Sequence, residues 1–132
     1  MTGPHHVHTE CNAIPNVDDT DLGDTLADLG DVHAGIDLNR DGIRLLAHDR
    51  HNLTTTQVLL ATLAGSPDGT DVLGAIGQLV ERLTNPDTNP ALRTLPLDQQ
   101  KTVAHQGWLT RLALNDPALR ETTARACAAL DH

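Results

Sequence analysis

The chain has 132 residues, a formal net charge of −9, and a single aromatic ring, Trp108, with no Phe or Tyr. That length suits one domain with a core of aliphatic side chains. Lack of aromatics removes stacking platforms for bases and sugars, aromatic cages for quaternary amines, and phenol acid–base chemistry. The acidic balance disfavours nucleic acid and anionic lipid. It is also uneven: residues 1–51 carry ten acids and three bases, residues 52–132 eight acids and six bases.

Residues 1–17 are polar, His-rich and broken by Pro4 and Pro15, which predicts a flexible arm ahead of a single helical domain over 18–132. Within the arm, His6, His8, Glu10 and Cys11 bring together imidazole, carboxylate and thiol, the donor set of zinc and other transition metals. The string His6-Val7-His8-Thr9-Glu10 resembles the opening of PHP-type phosphoesterase domains, where the resemblance implies metal-binding histidines. It covers five residues, and the further His and Asp motifs of those longer barrels are not found here.

The segment from Asp18 to Asp31 places Leu22, Leu26 and Leu29 at i, i+4, i+7, the stripe of an amphipathic helix. Asp18, Asp21, Asp24, Asp28 and Asp31 give it an acidic face suited to a basic partner surface. In 35–47, Ile36 and Leu38, then Ile43 and Leu45, alternate with polar residues around Asn39-Arg40-Asp41-Gly42, a pattern that admits a short β-hairpin. Asp37 to Gly42 also resembles the first half of the calcium loop of EF-hand and dockerin modules. The twelfth position, where such loops place a bidentate acid, is His48, and turn chemistry alone accounts for the string. His48-Asp49-Arg50-His51 would put two imidazoles on one face if helical, though such residues are more often an exposed polar junction between elements.

Helical spacing dominates the remainder. Thr54–Ala64 carries Val58, Leu59, Leu60 and Leu63 and stops at Gly65-Ser66-Pro67-Asp68-Gly69. Thr70–Leu83, with Thr70 as the expected N-cap, carries Val72, Leu73, Ile76, Leu79, Val80 and Leu83, a wide stripe that must be buried against a partner. One short turn is expected at Asn89-Pro90. A long helix then runs over Pro96–Leu114, with Leu97, Ala104, Trp108 and Leu112 on one face and His105 packed beside Trp108. Asp116 and Pro117 start a last helix, in which Leu119, Thr123, Ala126, Cys127 and Leu130 share a face and Glu121 pairs with Arg125.

The fold class that follows is mainly α, a small bundle of four to five helices. Residues 54–84 resemble parts of winged-helix regulators in phrasing, but the second helix has no Lys or Arg before Arg82 to read a DNA groove. No G-x-S-x-G, Walker loop or G-x-G-x-x-G is present. The expected function is non-enzymatic: a cytoplasmic protein-interaction or regulatory module that self-associates as a homo-oligomer and meets a basic protein partner, with no membrane segment. A metal-binding protein using the arm, and a DNA-binding regulator, are the alternatives.

Overall fold

The structure, a computed structural model, describes residues 14–131. Its regular elements are all helical: α1 (Asp21–Asp28), α2 (Ala34–His48), α3 (Leu53–Leu60), α4 (Val72–Thr84), α5 (Leu97–Leu114) and α6 (Pro117–Ala129), with no strand among the described residues. The mainly α reading is correct. His6, His8, Glu10 and Cys11 lie outside the described residues. The chain divides into two compact units, Met1–Arg50 and His51–His132.

In the first unit a 3-10 turn (Val17–Asp19) leads into α1, which Thr20 caps by accepting from the Gly23 N–H. Gly23 is buried because the turn lies directly on it: a Cβ there would sit 2.3 Å from the Val17 carbonyl oxygen. Leu26 is 1% exposed and, among the described residues, the one apolar side chain that is buried outright. Leu22 and Leu29, its stripe-mates, are 40% and 37% exposed.

Residues 35–47 are helical, which overturns the hairpin. The Nδ1 of His33 caps α2 by accepting from the Gly35 N–H at 2.8 Å, and Asp49 ends it. The two alternating pairs, Ile36/Leu38 and Ile43/Leu45, stand seven residues apart, so the same residues satisfy a helical period. Ile36, Arg40, Ile43 and Leu46 follow a step of three or four, while Leu38 and Leu45 stand 72% and 60% exposed on another face. Gly42 therefore sits in mid-helix instead of in a turn.

The second unit begins with α3, capped by the Asn52 side chain on the Thr55 N–H. It runs into one π turn, Ala61–Gly65, whose Ala64 (φ −156°, ψ 22°) breaks the helix. Such single π turns accommodate a local insertion in a helix; here the turn packs against α6, with Gly65 opposite the Thr123 methyl. Gln57 ties α3 to the end of α6 by donating to the Cys127 carbonyl, and the Cys127 thiol donates back to the Gln57 carbonyl. The cap of α4 is Asp71, one residue beyond the expected Thr70. Asn89 caps a 3-10 turn over Pro90–Thr94, and Asp116 with Pro117 opens α6 as the sequence predicts.

Helices α4 and α5 form an antiparallel pair, since Gly77 meets Arg111 and Leu114 while Thr84 meets Gly107. The contact is made by small residues. A Cβ on Gly107 would fall 1.6 Å from the Thr84 hydroxyl, and one on Gly77 3.2 Å from the Leu114 Cβ. Gly65, Gly69, Gly74, Gly77 and Gly107 are all buried, whereas no aliphatic side chain of this unit is.

Candidate interaction faces

The interior of the second unit is organised around an ion pair. Asp71 and Arg120 side chains are 0% and 2% exposed, and they meet through two hydrogen bonds, Nε to Oδ2 at 2.8 Å and Nη2 to Oδ1 at 2.7 Å. Each is satisfied further. The Asp71 carboxylate accepts from the Gly74 and Ser66 N–H groups, and Arg120 donates to the Leu114 carbonyl at the end of α5. One contact thus joins the loop before α4, the start of α4, the end of α5 and α6. The guanidinium holds the Asp71 carboxyl below its ordinary value, outweighing the desolvation that would raise it, with the two backbone donors adding to the effect. On the loop beside it, the exposed Asp68 carboxylate accepts from the Ser66 and Thr70 hydroxyls and the Thr70 N–H, which lower its pKa to about 2. Gly69, at φ 79°, makes the turn that allows this.

Neither member of the buried pair was anticipated as functional or structural. One signal was present. Arg120 stands at i−3, i−7 and i−10 from Thr123, Cys127 and Leu130, all half-buried, so a cation occupied the inward register of α6. The expected face of α6 is correspondingly rotated: Leu119 is 46% exposed and Ala126 is exposed.

With glycines and an ion pair inside, the large apolar residues are pushed outward. The predicted stripe of α4 splits in two. Leu73 and Val80 turn partly inward, while Val72, Ile76, Leu79 and Leu83 remain 42%, 43%, 49% and 54% exposed on one face. Beside Leu79 a recess of about 360 Å³ is lined by Gln78, Arg82, Asn85 and Thr88 and closed by the Glu81–Arg111 ion pair at 2.8 Å. On α5 three residues of the predicted face, Leu97, Trp108 and Leu112, are exposed (Trp108 at 48%) while the fourth, Ala104, is half-buried, and the packed face is the neighbouring one through Gly107. His105 lies against Trp108 with ring centroids 5.9 Å apart, on the surface and not in the packed interior.

All five carboxylates of the predicted acidic face, Asp18, Asp21, Asp24, Asp28 and Asp31, are exposed. They do not form one helical row. Asp18 belongs to the 3-10 turn, 3.7 Å from Arg44, and Asp31 follows α1 in a left-handed conformation at φ 66°, leaving Asp21, Asp24 and Asp28 as the ridge on α1 itself. The string Asp37–Gly42 is a stretch of α2 and does not wrap as a loop. His48 ends α2 and His51 lies beyond it, so the two do not share a helical face. Among the described residues no group of three or more His, Cys, Asp or Glu side chains is placed to hold a metal ion, and no helix is long and apolar enough to cross a membrane.

No protein-family model, no curated protein and no solved structure matches this chain.

Proposed function

We propose that this protein is a non-enzymatic interaction module that associates with copies of itself and presents an acidic ridge to a basic protein partner. The observation that carries the first part is the open aliphatic face of α4, built from residues whose spacing would normally be buried. Leaving such a face in water forgoes roughly 25 cal/mol for each Å² of apolar surface, a cost that association recovers. The ridge of Asp21, Asp24 and Asp28 supports the second part, because exposed like charges steer and orient an oppositely charged partner. The face of α4 also bears on the DNA alternative: it presents Val72, Ile76, Leu79 and Leu83 where a recognition helix needs donors for base edges.

Sedimentation equilibrium of the full chain between about 1 and 100 µM tests the self-association. A mass that climbs with concentration from 14.1 kDa supports it, and a constant 14.1 kDa at every concentration refutes it. For the ridge, the triple change Asp21→Lys, Asp24→Lys, Asp28→Lys should abolish salt-sensitive capture of basic host proteins on the immobilised chain; undiminished capture would reject that part.

A further inference from the structure

We infer that the occupant of the α4 face is α4 of a second copy, in a two-fold dimer whose seam is Val72, Ile76, Leu79 and Leu83. The inference rests on the self-association proposed above and identifies the surface and the order of the assembly. Three observations select this occupant.

The spacing comes first. The four residues follow one another at intervals of four, three and four, the a/d repeat by which two helices interlock. Ile76 and Leu83 then fall at a and Val72 and Leu79 at d; Ile76 at a with Leu79 at d is the pairing of two-stranded coils, while Val72 and Leu83 fill the same strip in the opposite order. The second is charge. The chain carries −9 overall and repels itself, but α4 from Val72 to Thr84 holds one acid and one base, Glu81 and Arg82, and Glu81 is already paired with Arg111 at 2.8 Å. Two α4 faces therefore bring less like charge together than two α1 ridges would. The third is exposure. All four side chains are open to nearly the same degree, so the seam is a continuous strip and not a scatter of single apolar residues. A helix of 13 residues is about 20 Å long. One pair of such helices falls short of the roughly 800 Å² per partner of a standard interface, so the dimer belongs with the small, reversible ones.

The test uses the full chain with Cys11→Ser and Cys127→Ser, into which Leu79→Cys is introduced and treated with a short bis-maleimide. Leu119→Cys, at 46% exposure on α6, is the control of equal accessibility. A covalent dimer from Leu79→Cys and none from Leu119→Cys supports the seam. In parallel, Ile76→Asp should weaken the dimer at least about tenfold, because a carboxylate would have to be desolvated in the seam, while Ile76→Leu should dimerise nearly as well as the native chain. Helicity by circular dichroism shows whether Ile76→Asp stays folded; if it does not, the cross-link decides. An oligomer that persists unchanged in Ile76→Asp, or that cross-links equally through Leu119→Cys, overturns the α4 seam and leaves self-association standing through another surface. A monomeric native chain ends both. Protection of α4 in such a monomer would place another segment of the same chain on the face.

Discussion

Among the described residues of the second unit, the fully buried side chains are those of Asp71 and Arg120, and their contact joins the loop before α4, α4, α5 and α6. The buried pair has no water to fall back on, so removing one partner strands the other. Arg120→Met should cost about 3–5 kcal/mol, read from urea unfolding, because it leaves a buried carboxylate without its cation. Adding Asp71→Asn to that variant should return part of the loss, since Asn still caps α4 and no longer brings a charge; a double variant less stable than Arg120→Met would contradict this. The pair also sets a pH dependence. A carboxyl whose pKa is lowered on folding stabilises the native state fully above its ordinary value of 3.8, and that stabilisation drains away as pH falls below it toward the folded value. Asp68 acts in the same direction, between 3.8 and about 2. The stability gap between the native chain and Asp71→Asn should therefore narrow as pH falls through 4, and a gap constant from pH 7 to 2 would count against the assignment. Sequence reading did not find this pair because the coupling spans 49 residues and neither partner lies in a recognisable motif.

At the scale of the elements, glycine decides what packs where. The residues of α4 that the sequence marks as apolar were all legible, and so were the short turn at Asn89-Pro90 and the cap at Asp116. Which side of the stripe turns inward was not, because helices that touch through Gly77 and Gly107 choose their contact by smallness, and hydrophobic periodicity reports only where the large side chains stand. Gly107→Ala should push α5 off Thr84 and destabilise the second unit by about 1–3 kcal/mol, lowering its melting temperature. Gly42 predicts the opposite sign. It lies within α2 with nothing within 4 Å of where a Cβ would sit, so Gly42→Ala should stabilise the first unit by about 0.5–1 kcal/mol. A hairpin turn at Asp41-Gly42 would instead be destabilised by that change, which makes the substitution a direct discriminator between the two readings of 35–47. The ambiguity was intrinsic: two apolar pairs repeated after seven residues fit a strand locally and a helix over the longer span.

At the scale of the whole molecule, the second unit taken by itself buries glycines and the Asp71–Arg120 pair, and the large apolar residues on one face of α4 stand at its surface. Among the described apolar residues Leu26 alone is buried outright, and on the proposed seam the open face of α4 would be where further apolar surface leaves water. On the proposed α4 seam, the acidic charge carried elsewhere would confine association to the surface that carries least of it. Amide hydrogen exchange of the native chain at about 1 and 100 µM tests this most directly. The amides of α4 should become more protected at the higher concentration while those of α1 do not change; protection of α4 that is identical at both concentrations would contradict it.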